Sequence, residues 1–411
     1  MSSPQSAALL TGTPVGTYDW PASFARRATC GGDELTAILS QAAATDVITF
    51  SGGFPAPEAF PLDVLSELVP RLLADNAAVA LQYSPTEGLP AARAAIALLL
   101  EQTQGPGIDP AGVLVTSGGI EGLQLLARTL IEPGDRVLVE APTYLGAIMA
   151  FAGFEADVEG VAVDTDGLRI DALEAALTTG RPPKLLYVIP DHQNPSGLSL
   201  SEERRGRLVE LCRRHGLLIV EDVAYRELGF EGQTIPSLWS LAPDVVVQLG
   251  TFSKILVPGV RLGWAVGPSA LVGAMTAAKQ NSDQCAGALG QMIMAEYVTA
   301  GHLDHTLVTA RALYRRRARA MLDALSAHMP DGVSWTRPDG GFFIWLTAPD
   351  HVDTRALVAP AARLGVAYVP GAPFYTDTRG GNQIRLSYSR ADDASIDEGI
   401  RRLATLIRAE L

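Results

Sequence analysis

Residues 250–264 read GTFSKILVPGVRLGW, with Lys254 and Arg261 set among apolar residues on either side of a Pro-Gly turn. A cation in such surroundings pairs with a carboxylate, snorkels to water, or serves a ligand. Other short apolar runs also end in polar residues. Val113–Thr116 is followed by Ser117-Gly118-Gly119-Ile120, and Arg136–Glu140 by Ala141-Pro142-Thr143-Tyr144. Leu185–Ile189 leads into Pro190-Asp191-His192-Gln193-Asn194-Pro195, Leu217–Glu221 into Asp222-Val223-Ala224-Tyr225, and Val245–Gln248 toward Thr251, Ser253 and Lys254.

Each group alone has a plain structural account. A Gly-rich loop is a tight turn, Tyr144 caps a core, Asn194 organises an Asn-Pro turn, and Asp222 caps the next segment. Together they describe a ligand. Free N–H groups at a glycine-rich helix start, with a hydroxyl and Arg261, suit an anion. Asp222, at the end of Leu-Leu-Ile-Val-Glu, needs a cationic partner such as a protonated ring nitrogen. Asn194 and Tyr225 suit a phenolic oxygen, Tyr144 a planar ring, and Lys254 an aldehyde. Those features belong to pyridoxal 5′-phosphate.

The elements that must position these residues can be read from periodicity. The apolar runs above, with Gly263–Val266, are predicted strands. They alternate with helical patterns at Ile120–Leu130, Asp171–Leu177 and Ser201–His215. Such alternation predicts an α/β fold, a mostly parallel sheet covered by helices, with ligands at the C-terminal strand ends. After residue 267 the pattern changes. Gln291–His328 reads as one long helical segment. Strands are predicted at Phe342–Leu346, Val366–Val369 and Ile384–Tyr388, with helices at Thr354–Leu364 and Ser395–Leu411. This predicts an N-terminal arm over 1–50, a large domain over 51–295 and a smaller α+β domain over 296–411.

The chain has 411 residues and a formal charge of −13. That charge disfavours nucleic acid and anionic membrane as partners. The basic run Tyr314-Arg-Arg-Arg-Ala-Arg319 reads as a solvated helix face. Three cysteines without a CxxC or His/Cys cluster argue against disulfides and against a metal site. With no signal-peptide pattern and no apolar span, a cytoplasmic location is expected.

Six motifs, in order, give the sequence a family resemblance: Ser51-Gly-Gly-Phe-Pro55, Leu81-Gln-Tyr-Ser-Pro-Thr-Glu-Gly88, Gln193-Asn-Pro-Ser-Gly197, Glu221-Asp-Val-Ala-Tyr225, Ser253-Lys254 with Arg261, and Ile384-Arg-Leu-Ser-Tyr388. The sequence resembles the class I aminotransferases, fold-type I enzymes dependent on pyridoxal 5′-phosphate (PLP). It looks most like the branch of 2-aminoadipate and kynurenine aminotransferases and the core of MocR regulators. The resemblance implies a seven-stranded-type sheet and ping-pong transfer of an amino group from an L-amino acid to a 2-oxo acid. It makes Lys254 the Schiff-base lysine, Asp222 the partner of the ring nitrogen, and Asn194 and Tyr225 the partners of the 3′ oxygen. Tyr144 stacks on the ring. Gly118, Gly119, Ile120, Thr251, Ser253 and Arg261 take the phosphate. Arg385 holds the substrate carboxylate, with Gly53 and Asn194 beside it. Tyr83 reaches the phosphate of a neighbouring subunit, which implies a homodimer.

Two departures stand out. Gly119-Ile120 replaces the family's usual Ser-Gln, and Asp33–Gln41 lacks the cation that some relatives use for a distal carboxylate. His192 and Gln284 are further polar candidates near the pocket. Two rivals remain at this stage: a PLP enzyme that oxidises, eliminates or cyclises instead of transaminating, and a PLP-binding regulatory module.

Overall fold

The structure is a computed structural model that describes residues 19–29, 47–105, 107–232 and 235–411. The Asp33–Gln41 stretch and Cys30 lie outside the described residues.

The strands, in chain order, are β1 (Ile48–Thr49), β2 (Val113–Thr116), β3 (Arg136–Ala141), β4 (Asp157–Asp164), β5 (Gly167–Leu168), β6 (Leu185–Val188), β7 (Leu218–Asp222), β8 (Val246–Thr251), β9 (Gly263–Val266), β10 (Ser334–Trp335), β11 (Phe343–Thr347), β12 (Val366–Ala367), β13 (Val369–Pro370) and β14 (Gln383–Ser387). The large sheet runs β2-β9-β8-β7-β6-β3-β4-β5. Only β9 and the two-residue edge strand β5 run against the rest. The sheet is therefore mostly parallel: seven strands plus a short edge. Residues of β2, β3, β6, β8 and β9 are buried along their full length. That is why they read as unbroken apolar runs and not as alternating ones.

Helices cover both faces. On one, Gly119–Leu130, Leu145–Ala152 and Ser269–Gln280 enclose a core of Leu123, Phe151, Val247 and Met275. On the other, Ile170–Thr178 and Glu202–His215 pack Leu173, Leu208 and Leu211 on Leu186 and Ile219. Because β3, β6, β7 and β8 are mutually parallel neighbours, their C-terminal ends open on one side. The loops after them carry the site.

The C-terminal part is built on the antiparallel sheet β10-β11-β14-β13. Helix Asp393–Arg408 packs on helix His302–His328 beside it. The chain near residue 48 joins this part, since β1 pairs with β12.

Four expectations need correction. The single helix over Gln291–His328 is two, Ala288–Thr299 and His302–His328, because Gly301 adopts φ +76° between them. The strand over Val366–Val369 divides into β12 and β13, which pair with different partners. Strand β4 was not anticipated; half-exposed, with three acidic residues, it lacks an apolar run. The basic run is not a wholly solvated face: Arg317 is buried, donating to Ser389 O at 2.7 Å and to Glu58 at 2.9 Å, and Tyr314 is buried beside it.

Candidate active site

One cavity of about 230 Å³ opens where the strand-end loops meet the C-terminal sheet. Gly53, Gly119, Ile120, Tyr144, Asn194, Asp222, Tyr225, Thr251, Ser253, Lys254, Arg261 and Arg385 all line it. Residues from eight separate stretches of the chain thus converge on one space, and five of those stretches end or follow strands of the large sheet, where ligands of such sheets sit.

Lys254 stands on its wall. Its Nζ donates to Gly53 O at 2.8 Å, and among the described residues no carboxylate lies within ion-pair distance. Desolvation, with the charges of Arg385 and Arg261, pulls its pKa down to about 8 against the opposing pull of Asp222. The amine therefore sheds its proton far more readily than an ordinary lysine and is mostly neutral above about pH 8, in the form that adds to a carbonyl.

Asp222 ends β7. Its Oδ2 accepts from the Tyr187 hydroxyl at 2.7 Å and its Oδ1 from the Ala224 N–H at 3.1 Å. Burial pushes its carboxyl up, while those two donors and Lys254 pull it down. A cation arriving from the cavity would settle it as carboxylate.

Arg385, on β14, is 6% exposed. Its Nη1 donates to Asn194 Oδ1 at 2.9 Å and its Nη2 to Ser51 O at 2.6 Å. The guanidinium lies over the rings of Phe343 and Phe374, 4.4 and 4.9 Å from their centroids. Its Nε is buried without a hydrogen-bond partner. Burial lowers its pKa to about 10, so it remains cationic at neutral pH. Among the described residues it has no carboxylate of its own, which leaves a planar fork facing a cavity: the setting for an incoming one. A side chain at Gly53 would come within 2.7 Å of Phe343, so only glycine lets the main chain approach here.

The opposite end of the cavity suits an anion. Arg261 donates to Ser117 O at 3.2 Å and to Ser253 Oγ at 3.4 Å from a left-handed backbone, φ +52°. Thr251 Oγ1 lies 3.0 Å from Ser253 Oγ. Gly118 does not line the cavity. It sits just behind, at φ +97°, where a Cβ would stand 2.7 Å from Arg261 Nη2. Ile120, 36% exposed, brings an apolar side chain to this end.

Three candidates lie elsewhere. Tyr83 is 74% exposed, outside this cavity. His192 is buried against Asp339, with its Nδ1 3.0 Å from that carboxylate. Gln284 is exposed on a left-handed turn. The sequence reasoning missed Tyr187, Phe343 and Phe374. Tyr187 sat inside an apolar run and looked like core. Only the pairing of β6 with β7 brings its hydroxyl to Asp222.

These features fit PLP: a cradle of glycine and hydroxyls backed by a guanidinium, a carboxylate and an aromatic wall, and a neutralisable amine without an ion-pair partner among the described residues. The fold and the cavity define a fold-type I PLP-dependent transferase. The particular family follows from comparison. The model of aminotransferase class I and II matches residues 46–403, and the chain belongs to that family. It is 38% identical over 401 residues to aromatic-amino-acid aminotransferase 1 of Thermococcus litoralis, covering 96% of each chain. It is 39% identical over 369 residues to the 2-aminoadipate transaminase of Thermus thermophilus, covering 89% of this chain and 91% of the relative. The crystal structure of an α-aminoadipate aminotransferase from Thermus thermophilus, complexed with N-(5′-phosphopyridoxyl)-L-leucine, matches with a TM-score of 0.89 at 37% identity. The match covers 95% of this chain and 99% of that one. The protein is a PLP-dependent aminotransferase that moves an amino group from an amino acid to a 2-oxo acid. Relatives named for amino-group transfer favour that activity over the oxidising, eliminating and regulatory readings.

Proposed function

We propose the following division of labour in transamination. Lys254 Nζ would hold the coenzyme at rest and, once freed by substrate, would serve as the base that takes and returns the proton at the substrate Cα. Arg385 grips the substrate α-carboxylate through its fork, with Asn194 and the Gly53 main chain alongside. Asp222, steadied by Tyr187, would pair with the ring nitrogen and favour its protonated form. Tyr225 and Asn194 would hold the 3′ oxygen, and Tyr144 would stack on the ring. Gly119, Ile120, Thr251, Ser253 and Arg261 form the phosphate end with Gly118 just behind it, main-chain N–H groups standing in for the polar side chains that Gly119 and Ile120 lack. Bound PLP supplies the aldehyde and the electron-withdrawing ring. The observation that carries this reading is a Lys254 amine with no carboxylate partner among the described residues, in one cavity with Asp222 and Arg385. Borohydride reduction of the holoenzyme followed by peptide mapping should fix the coenzyme on Lys254. A label on any other lysine removes Lys254 from that role.

We further read the active unit as a homodimer in which Tyr83 completes the neighbouring phosphate site. Its exposure beside Leu81, itself 73% exposed, supports this. The working division is an arm to residue 50, a large domain to 295 and a small one beyond. The location is taken as cytoplasmic: no described helix is long and apolar enough to cross a membrane. For the amino donor, the charged groups lining the cavity among the described residues are Asp222, Lys254, Arg261 and Arg385. All four have roles above. Phe54, Ile120, Leu123, Leu145 and Ile189 fill the wall, which supports an apolar or aromatic donor. A screen in which glutamate and aminoadipate outrun every apolar and aromatic amino acid would sink that assignment.

A further inference from the structure

Behind the loop Ser117–Gly119, Lys279 is completely buried near the end of helix Ser269–Gln280. Its ammonium lies 2.8 Å from both oxygens of Glu121 and both oxygens of Asp283. These carboxylates in turn hold Ser117. Glu121 Oε2 accepts the Ser117 N–H at 2.5 Å, and Asp283 Oδ2 accepts its hydroxyl at 2.7 Å. The Ser117 carbonyl accepts from Arg261 on the cavity side. Every polar group of this one residue is therefore engaged, and two of the three lead back to Lys279.

A buried ammonium needs one carboxylate to be tolerable. Here it gathers two, from different elements, close enough that burial and the neighbouring Asp283 push the Glu121 carboxyl up. Neutralising Lys279 does not explain that arrangement; fixing what the carboxylates hold does. After Ser117 the loop continues as Gly118, Gly119 and Ile120 and offers no polar side chain. Whatever it gives an anion comes from main-chain N–H groups, whose directions are set by the backbone alone. Arg261 blocks that backbone from the front, at the Gly118 position, and the Lys279 cluster anchors it from behind.

We propose, on the reading that Gly119, Thr251, Ser253 and Arg261 form the phosphate end, that Lys279 is a positioning residue: through Glu121 and Asp283 it holds the Ser117–Gly119 main chain in its phosphate-binding shape. The effect is on the coenzyme's phosphate and not on its ring.

The test compares PLP with pyridoxal, which lacks the phosphate. Both are titrated by absorbance into the full-length protein after its coenzyme has been stripped. Lys279→Met should weaken PLP binding by about 10- to 100-fold, the scale seen for groups that support a ligand from behind, while pyridoxal affinity stays within about threefold. Lys279→Arg should recover most of the loss. Ser117→Ala, which deletes only the hydroxyl link and leaves the buried charges intact, should lose roughly threefold to tenfold on PLP alone. Equal losses for both ligands, or none for PLP, would overturn the role of Lys279. If Lys279→Met does not fold, the Ser117→Ala result decides in the same way. Wild-type protein that binds pyridoxal as tightly as PLP would instead overturn the phosphate end itself.

Discussion

Asp191 and Asn194 stand three residues apart in one loop, yet serve opposite kinds of buried charge. Asp191 gives one oxygen to Arg205 at 2.5 Å and the other to Arg226 at 2.9 Å. Arg205 spends its remaining capacity on the carbonyls of Leu200, Pro236 and Pro190. Those charges are closed on one another; the two arginines hold the Asp191 carboxyl below its usual value despite full burial. Asn194 instead orients Arg385, which has no carboxylate within ion-pair distance among the described residues. Lys254 likewise donates only to a main-chain carbonyl among the described residues. Burial alone does not mark a working charge. Buried structural charges are matched inside the protein, and buried functional charges are left open toward a cavity.

The sharpest way to break the contrast is Lys254→Ala. If the open amine is the proton carrier, kcat/KM should fall by roughly 10²- to 10⁴-fold, the range for losing a positioned general base. The yellow colour of the holoenzyme should go with it. Assay of 2-oxo acid release, with the coenzyme spectrum in parallel, checks both. Turnover that persists undiminished would place Lys254 with the closed charges.

Next comes Arg385→Lys. The charge survives but the two-pronged geometry does not. We expect kcat/KM to fall about 10- to 100-fold, carried mainly by KM, as when charge-assisted hydrogen bonds are lost. Steady-state kinetics over a range of donor concentrations separates the two constants. An unchanged KM would mean that the substrate carboxylate is held elsewhere.

Much of this contrast was legible before the fold was known. The strand-end residues could be found because buried parallel strands leave apolar runs, and a polar residue directly after such a run is conspicuous. Lys254, Asp222 and Tyr225 were seen that way. Arg385 was not; it lies on a strand of the other sheet, and only the family motif pointed to it. Tyr187 and the two phenylalanines were invisible because an aromatic in an apolar stretch reads as core, and strand register alone decides what its edge touches. Arg317 was misplaced for a related reason. In an Arg-rich helical run, the periodicity that assigns one face to solvent cannot tell which arginine meets Ser389 and Glu58.

A smaller effect is expected from Phe374→Leu. The substitution keeps an apolar wall but removes one of the two rings on the Arg385 guanidinium. A cation–ring contact that orients the fork should appear as an increase in KM of about threefold to tenfold with kcat little changed. A fall in kcat with constant KM would show that the ring acts on the coenzyme side instead.

The least effect on turnover is expected from Asp191→Asn, and it tests the closed half of the comparison. Removing one partner of a buried ion cluster leaves arginines unmatched, so the fold should lose about 3–5 kcal/mol. Because Asp191 faces its own arginines and not the cavity, kcat/KM of the folded fraction should stay within about twofold. The pH dependence carries a further signature. The Asp191 carboxyl is depressed on folding from an ordinary value of 3.8. Its contribution is therefore present above that value and is lost as the pH falls through the lower, folded one. Thermal melts of the wild type below about pH 4 should decline more steeply than those of the Asp191→Asn variant, and the two sets should draw together as the carboxylate is protonated. Melts that stay parallel across that range, or a large loss of turnover at full folding, would show that Asp191 is coupled to the site and that the closed and open charges are one system.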